Sequence, residues 1–262
     1  MNDKISTFLL VQNIKMHSKS LLNILLIVTV GCSTVSKPIS LSYATYKVAQ
    51  QAKTDTALVN MLLPYSGDVS RMMKKVIGFS TTTMYKKQPE SVLGNFMADC
   101  IKEMAEVKFQ TKVDVGFMNQ GGIRAEINKG NIALGNVYEL MPFDNLVVLQ
   151  RVKGDVLEKF IQRIAADGGW PISKNSSFVI QSKKAIEIYI NGKPLDMNTI
   201  YTVANTDYIA NGGSNADMLK GIPMQNSGYL LRDALVDYIE NLTKQGKPVD
   251  GKIENRVRII NE

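Results

Sequence analysis

Helix-like and strand-like patterns alternate from about residue 53 to the carboxy-terminus, and no long linker separates them. Such alternation predicts a single α/β or α+β domain. The Asn191-Gly192 pair follows alternating isoleucines at positions 186, 188 and 190, which predicts a hairpin with a type I′ turn. Strands are predicted at residues 113–118, 145–151, 177–181, 185–190, 200–205 and 256–260.

Two amphipathic helices are predicted within this alternation. The first covers residues 156–166, with Asp155 as its cap and Gly168-Gly169 after its end. The second covers residues 228–245, with Ser227 as its cap and Gly246 after its last turn. The residues expected to face the core are Leu157, Phe160, Ile161 and Ile164 in the first helix, and Leu231, Ala234, Leu235, Tyr238, Ile239 and Leu242 in the second.

The chain of 262 residues contains one histidine, His17, and two cysteines. Histidine is the commonest transition-metal ligand and the usual general base near neutral pH. Because His17 lies in a segment that we expect to be removed, the mature chain is expected to contain no histidine. This excludes His-based metal hydrolases, Ser-His-Asp hydrolases and Cys-His proteases as activities of this chain alone. No metal site and no cofactor are expected within it.

The net charge of +7 is compatible with an anionic partner such as a phosphate ligand, nucleic acid or a lipid surface. The lysines occur in pairs, as at Lys74-Lys75, Lys86-Lys87 and Lys183-Lys184, and form no long run. Tails that bind nucleic acid carry longer runs of like charge. The pattern therefore predicts a solvated basic surface and no nucleic-acid partner.

A short apolar segment at residues 21–30 follows Lys15 and Lys19 and ends before Gly31-Cys32. Ten helical residues span about 15 Å, half of the roughly 30 Å core of a bilayer, so a transmembrane anchor is not expected. A charged segment, a short apolar segment and a small residue together predict a signal peptide over residues 1–31. Met16 begins a more typical signal sequence and is an alternative start.

The Gly31-Cys32 junction resembles a bacterial lipoprotein lipobox, with Thr29 where leucine is usual. The resemblance implies that Cys32 is lipidated. Residues 32–52 are polar and small and predict a tether, and the alternating patterns place the fold at residues 53–262. The resemblance also implies a lipid-anchored protein of the bacterial cell envelope, periplasmic or at the outer membrane. The alternative is an ordinary secreted protein in which Cys32 has no role.

Cys100 would be the other cysteine of such a mature chain, so no intramolecular disulfide is expected. It lies on an apolar stripe with Leu93, Phe96, Met97 and Met104. This spacing predicts a thiol buried in the core.

Three short segments carry residues that a fold alone does not require. Residues 118–124 follow a strand with a Gly-Gly pair, and Asn119 and Arg124 there offer hydrogen-bonding groups for a ligand. Residues 140–145 place Phe143 after a proline, and residues 205–214 place Tyr208 before a second Gly-Gly pair. Two aromatic rings on glycine-rich loops are typical of sites that enclose a planar base. Taken singly, each segment is also compatible with a turn or a core aromatic.

Taken in order, these and other motifs resemble the carboxy-terminal domain of the 5′-nucleotidase family over about residues 53–260. The motifs are Glu90-Ser91-x-Leu93-Gly94-Asn95, Asn119-x-Gly-Gly-Ile-Arg124, Pro142-Phe143, Asn191-Gly-Lys-Pro-Leu-Asp196, Tyr201-Thr-Val-Ala204 and Asn211-Gly-Gly213. The resemblance implies a single α/β (α+β) domain in which a mixed sheet is flanked by helices. It also implies a domain that binds the nucleoside part of a nucleotide, while a separate metallophosphoesterase domain holds two metal ions.

Carried over by motif, Asn119 and Arg124 would contact the base, the ribose or the phosphate. Phe143 and Tyr208 would stack on the two faces of the base, and Gly122 and Gly213 would shape the loops. Two positions depart from the family pattern. Ser214 stands where the family has an aspartate that holds the ribose hydroxyls, and Pro89 stands where the family often has an arginine, with Lys86 and Lys87 nearby.

The metal-ligand segments of the metallophosphoesterase domain, Asp-x-His, Gly-Asn-His and Gly-His-x-His, do not occur in the 262 residues. We therefore expect no hydrolysis by this chain alone. The leading hypothesis is a nucleoside- or nucleotide-binding subunit of a split 5′-nucleotidase, completed by a separate metallophosphoesterase chain that holds the divalent metals. The alternatives are a non-catalytic nucleoside-binding lipoprotein and an interaction domain that has lost its ligand.

Overall fold

The computed structural model describes residue 44 and residues 54–260. The predicted signal peptide, the predicted lipidation site Cys32 and, apart from Ala44, the predicted tether lie outside these residues. Residues from Thr56 onward belong to one compact unit. No helix within the described ranges is long and apolar enough to cross a membrane.

Helices and strands alternate along the chain as predicted. The helices are α1 (Thr56–Met73), α2 (Val92–Phe109), α3 (Leu134–Leu140), α4 (Gly154–Ala166), α5 (Asp207–Ala210) and α6 (Leu231–Lys244). The strands are β1 (Val76–Ser80), β2 (Val115–Gly116), β3 (Gly130–Ala133), β4 (Leu146–Lys153), β5 (Ser177–Gln181), β6 (Lys184–Ile190), β7 (Lys193–Pro194), β8 (Ile200–Thr206), β9 (Met224–Leu230) and β10 (Val257–Ile260).

The strands between residues 54 and 260 form three sheets. One four-stranded sheet has the order β2-β8-β4-β9, and another has the order β10-β5-β6-β7. Both are mixed, because β2 runs parallel to β8 and β10 runs parallel to β5 while the other pairs are antiparallel. Strands β1 and β3 form a separate antiparallel pair. The predicted mixed α/β class is confirmed. The prediction had one mixed sheet, whereas the described strands belong to three sheets.

Two apolar cores lie between the helices and the sheets. The first lies between α2, α6 and the β1–β3 pair, and Phe96 of α2 contacts Tyr238 of α6 with ring centroids 5.3 Å apart. The second lies between α4 and the two larger sheets, where Phe160 contacts Phe117 and Trp170 edge to face. Cys100 is fully buried in the first core, as predicted, and its burial raises the pKa of the thiol well above the ordinary value.

The first predicted helix is confirmed, but its cap is different. Helix α4 begins at Gly154, with Lys153 as the capping residue, and Asp155 lies inside the first turn. The backbone N–H groups of Gly154 and Asp155 donate to the carbonyls of Thr199 and Met197, so a neighbouring loop replaces the side-chain cap. A Cβ on Gly154 would overlap the Asp196 carbonyl, which explains why glycine begins this helix.

The predicted start of the second helix is wrong. Ser227 and Gly228 belong to β9, which pairs with β4, and α6 begins only at Leu231. Gly228 has a φ of +70°, which a right-handed helix does not accommodate. Beyond that point the predicted inward face is confirmed, since its residues are buried in the first core or packed against it.

The predicted hairpin at Asn191-Gly192 is confirmed. Both residues have positive φ, +51° and +73°, as a type I′ turn requires, and they join β6 to the antiparallel β7. The predicted strand at 113–118 is shorter than expected, because only Val115–Gly116 pairs regularly with β8.

Candidate functional site

Three loops meet beside the sheet that contains β8 and β4. The first is the turn Gln120–Gly122 after β2, the second joins α3 to β4, and the third follows β8. They enclose an open cleft of about 280 Å³, which is lined by Asn119, Gly121, Gly122, Phe143, Asn145, Tyr208 and Ser214. Five of the residues predicted from sequence therefore lie in one cleft, and the other two, Arg124 and Gly213, contact residues that line it.

The first loop brings two side chains close to Gly122. The Gly122 N–H donates to the Asn119 carbonyl at 3.0 Å and closes the turn. A Cβ on Gly122 would overlap Cε of Met118 and lie 2.8 Å from Oδ1 of Asn119. The small residue thus leaves room for the Asn119 amide in the wall of the cleft.

Asn119 carries an unpaired hydrogen-bond acceptor at this wall. The residue is only 6% exposed, and its Oδ1 accepts no hydrogen bond from the residues that the structure describes. A buried acceptor without a donor costs on the order of 1–3 kcal/mol, so such atoms are uncommon in folded proteins.

Arg124 lies at the rim and is exposed. Its guanidinium carbon is 5.8 Å from the centroid of the Phe143 ring, and its Nη1 donates to the Gly121 carbonyl at 3.3 Å. The cation is therefore held beside one aromatic wall, with further donors directed to solvent, which suits an anionic or hydroxyl group of a ligand.

Tyr208 forms the aromatic wall contributed by the loop after β8. Its ring lies against Gly213, and its Oη accepts a hydrogen bond from the Ser214 N–H at 3.2 Å. Ser214 itself has a φ of +56°, and Gly212 before it has a φ of +88°, so this loop bends through left-handed backbone. Tyr208 and Phe143 remain 47% and 39% exposed, which leaves their rings accessible to a ligand.

Asp207 connects two of the three loops. Its Oδ1 accepts hydrogen bonds from the N–H groups of Leu146 and Tyr208, both at 2.9 Å. Thr206 caps the following helix, because its Oγ1 accepts from the Ile209 N–H. These hydrogen bonds fix the position of the Tyr208 backbone relative to Leu146 at the start of β4.

Two residues that the motif analysis did not assign to the site also contribute. Asn145 lines the cleft, and it directly follows the predicted Pro142-Phe143 corner. Lys86 donates from Nζ to the Ile123 carbonyl at 2.7 Å and so supports the first loop from behind. A lysine pair in a polar segment gives no sequence signal for such a contact.

Pro89 does not belong to this cleft. It lines a larger cleft of about 650 Å³ with Lys87, Tyr85 and residues of β10. The departure from the family pattern at position 89 therefore leaves the walls around Asn119 unchanged, whereas the departure at Ser214 lies directly in them.

Three aspartates of the domain make structural contacts. Asp114 accepts from Asn191 and from the Thr202 N–H, and Asp144 pairs with Arg232. Hydrogen bonds from the Asn198 N–H and the Thr199 hydroxyl lower the pKa of Asp196. Among the described residues no three His, Cys, Asp or Glu side chains are grouped so that they could hold a metal ion, so these residues do not fit a two-metal centre.

The loops around the cleft present two aromatic rings, an amide and a guanidinium. The model of the 5′-nucleotidase, C-terminal domain, family matches residues 74–221. The chain belongs to this family, and the predicted resemblance is confirmed.

The chain is similar to part of much longer proteins. It is 30% identical over 146 residues to Protein UshA of Salmonella pullorum, a match that covers 54% of this chain and 26% of that protein. It is 27% identical over 220 residues to the trifunctional nucleotide phosphoesterase protein YfkN of Bacillus subtilis, covering 75% of this chain and 14% of YfkN. The matched part therefore spans about a quarter or less of these relatives.

A solved structure of a 5′-nucleotidase precursor from Thermus thermophilus shares the fold. The TM-score is 0.66 at 24% identity, and the match covers 79% of this chain and 44% of that one. The NAD nucleotidase of Haemophilus influenzae matches with a TM-score of 0.61 at 14% identity, over 79% of this chain and 42% of that one. At these identities the likeness establishes the fold.

Proposed function

We propose that this chain is the nucleoside- or nucleotide-binding subunit of a split 5′-nucleotidase. In this proposal the cleft holds the substrate, and a separate metallophosphoesterase chain hydrolyses its phosphate ester. Membership of the 5′-nucleotidase C-terminal domain family supports a nucleotide-related role. The relatives named nucleotide phosphoesterase or 5′-nucleotidase support the same class of ligand.

The unpaired Oδ1 of Asn119 is the observation that carries the proposal. Asn119 lines the cleft together with the exposed rings of Phe143 and Tyr208, and its buried Oδ1 would meet a ligand donor once the side chain turns toward the cleft. A nucleobase combines flat apolar faces with N–H donors at its edge, so it complements both features at once. Arg124 at the rim is placed for a ribose hydroxyl or a phosphate, and Ser214 offers one hydroxyl in place of a carboxylate.

Hydrolysis in this proposal depends on the partner. A two-metal site generates a hydroxide nucleophile and stabilises the leaving oxygen of a phosphate ester. The described residues of this chain do not fit such a site. What this chain supplies is binding and orientation of the nucleoside, through Asn119, Phe143 and Tyr208.

We further propose that the chain is anchored in the bacterial cell envelope through a lipid on Cys32. The apolar segment before Gly31-Cys32 supports this. Two or more acyl chains would give a stable anchor, whereas one would bind reversibly. Mass spectrometry of the purified membrane form tests it: a diacylglyceryl adduct on Cys32 is expected, and an unmodified cysteine contradicts the anchor.

Isothermal titration with adenosine, uridine and their monophosphates tests the binding role. Saturable binding that is lost in Asn119→Leu supports it, and no binding of any of the four contradicts it. The catalytic role is tested by mixing the chain with any metallophosphoesterase lacking a carboxy-terminal domain that the same genome encodes. We expect nucleotide hydrolysis by the mixture and none by either protein alone, and activity of the isolated chain with added metal would contradict the split arrangement.

A second candidate function is a non-catalytic nucleoside-binding lipoprotein. It rests on the cleft alone, whose exposed Phe143 and Tyr208 rings support binding of a nucleoside without reference to catalysis. Nucleoside binding together with an inactive mixture would select this function over the split enzyme.

A further inference from the structure

The loop between α3 and β4 places Phe143 in the wall of the cleft, and backbone hydrogen bonds hold its two ends. At the first end, the Leu140 carbonyl accepts from the Arg124 N–H at 2.9 Å. At the second end, the Asn145 carbonyl accepts from the Leu231 N–H at 2.8 Å. The residues between these ends belong to no helix or strand, so the position of the Phe143 ring depends on side-chain contacts.

Asp144, which directly follows Phe143, forms an ion pair with Arg232 in the first turn of α6. Nη2 of Arg232 donates to Oδ1 of Asp144 at 3.0 Å. The Arg232 side chain is only 13% exposed, whereas the Asp144 side chain is 83% exposed. The arginine is therefore the fixed partner of the pair, and the exposed loop is held to it.

Arg232 is itself held in place by α3. Its guanidinium carbon lies 4.6 Å from the centroid of the Tyr138 ring, within the range of a cation–π contact. Ion pairs between mobile surface side chains contribute little, because ordering two long side chains costs entropy. Burial and the Tyr138 ring order Arg232 independently of Asp144, so this pair restrains the loop more strongly than an ordinary surface pair does.

The position of Arg232 is unfavourable for the helix that carries it. The amino-terminal end of a helix has a partial positive charge, which favours anions in the first turn, and Arg232 is the second residue of α6. Its Nε is also buried without an acceptor among the described residues, and an unpaired buried donor costs stability. Departures of this kind from local rules are expected where a residue serves a functional site. They indicate that the role of Arg232 is its contact with the loop.

We propose that Arg232 is a positioning residue of the nucleoside cleft, which holds the Phe143 ring in place through Asp144; this inference rests on the proposed binding of a nucleoside. Among the described residues that line the cleft there is neither Arg232 nor Asp144, so the effect passes through the ring. With the ion pair formed, a base meets a ring whose position is already set. Without it, binding has to order the loop, and that cost weakens the affinity.

Titration calorimetry with adenosine tests the role of Arg232. Arg232→Met removes the cation, and Asp144→Ala removes the carboxylate at an exposed position. We expect each to raise the Kd by about 3- to 10-fold, as for the ordering of one or two side chains, and by no more than Phe143→Ala does. Arg163→Met is the matched control, because Arg163 is also mostly buried and lies 3.5 Å from its partner Asp167. We expect it to change the Kd less than twofold.

A double-mutant cycle separates positioning from a direct ligand contact and from a general loss of structure. If Arg232 acts through the ring, Arg232→Met has no further effect on the Kd in the Phe143→Ala background. Arg232→Lys keeps the cation and is expected to restore part of the affinity, although an ammonium does not stack on Tyr138 as a guanidinium does. Additive effects of Arg232→Met and Phe143→Ala, or no recovery in Arg232→Lys, would overturn the positioning role.

The remaining outcomes separate this inference from the binding proposal on which it rests. Unchanged affinity in Arg232→Met and Asp144→Ala, while Phe143→Ala weakens binding, overturns the positioning role and leaves the binding proposal intact. A loss in Asp144→Ala alone also overturns it, because the carboxylate then acts without the arginine. If urea unfolding shows that Arg232→Met does not fold, the cycle of Asp144→Ala with Phe143→Ala decides by the same criterion of additivity. If the original chain binds none of the nucleosides and nucleotides tested, both proposals fail.

Discussion

The ring of Tyr208 lies so close to Gly213 that a Cβ atom at position 213 would be 2.5 Å from Cε1 and Cζ of that ring. The same ring receives the Ser214 N–H at its Oη. Glycine at 213 therefore determines where one aromatic wall of the cleft stands.

Replacing Gly213 with alanine is expected to displace the Tyr208 ring, because the ring is half exposed and moves more easily than the backbone. We expect at least tenfold weaker binding of adenosine, with less than about 1 kcal/mol change in the free energy of unfolding, as for an ordinary surface substitution. Titration calorimetry and urea unfolding measure the two quantities. Gly67→Ala is the control, since a Cβ there meets no atom within 4 Å. Unchanged adenosine affinity in Gly213→Ala would contradict the role of Tyr208.

Phe143 is expected to contribute stacking from the opposite loop. Because stacking of a base on an aromatic ring is worth about 1–3 kcal/mol, Phe143→Ala should weaken nucleoside binding by about 5- to 150-fold. Phe79→Ala is the matched control, as Phe79 is 47% exposed on β1 and does not line the cleft. Equal effects of the two substitutions would show that the loss is not specific to the cleft.

Asn119 is expected to contribute to nucleoside binding and little to the stability of the fold. Since its Oδ1 is buried without a donor, Asn119→Leu removes an unsatisfied acceptor and keeps a similar shape. The unliganded variant should be as stable as the original within about 1 kcal/mol, while adenosine binding is lost. Thermal unfolding with and without adenosine measures both, and a variant that the ligand still stabilises would remove Asn119 from the site.

The sequence predicted which residues lie together in the cleft better than it predicted the boundaries of the elements around them. Glycine pairs, Asn119 and the two aromatics stand in ordered motifs, and the loops that carry them converge because β2, β8 and β4 are neighbours in one sheet. Ser227 was misassigned because helix capping is a local signal, whereas the pairing of β9 with β4 is a long-range contact. The support that Lys86 gives to the Ile123 carbonyl is equally non-local.

One of the recognised motifs proves to be structural. Ser91 caps α2, because its Oγ accepts from the Gly94 N–H at 3.0 Å. Glu90 accepts from Asn95 and from the Glu254 N–H, which joins the start of α2 to the segment before β10. A motif shared with a family can therefore consist of residues that hold the fold together instead of residues that contact a ligand. The hydrogen bonds of the structure show which of these roles Glu90, Ser91 and Asn95 have.

Cys100 is expected to be unreactive in the folded chain. Burial raises the pKa of its thiol, and the nearby carboxylates of Glu103 and Asp99 raise it further. Only the thiolate reacts with alkylating reagents, so a Cys32→Ser variant should resist iodoacetamide at pH 8 and react once it is unfolded in guanidinium. Mass spectrometry of the alkylated protein checks this, and rapid labelling of the folded variant would contradict the burial of Cys100.

The ion pair between Arg256 and Asp99 is expected to be the most stability-sensitive charge contact of the domain. The guanidinium donates to both oxygens of Asp99 at 2.7 and 2.8 Å and to the Ile172 carbonyl at 3.0 Å, and Arg256 is only 6% exposed. Removing one partner of a buried pair leaves an uncompensated charge, so Arg256→Met should lower the free energy of unfolding by about 3–5 kcal/mol.

Arg258→Met is the control for that substitution. Its pair with Glu187 is 3.7 Å apart and both side chains are at least half exposed, so a loss of less than about 1 kcal/mol is expected. Urea unfolding of the two variants gives the comparison. Because Arg256 ties the start of β10 to α2 and to the loop before β5, a loss similar to that of Arg258→Met would mean that this junction does not limit the stability of the domain.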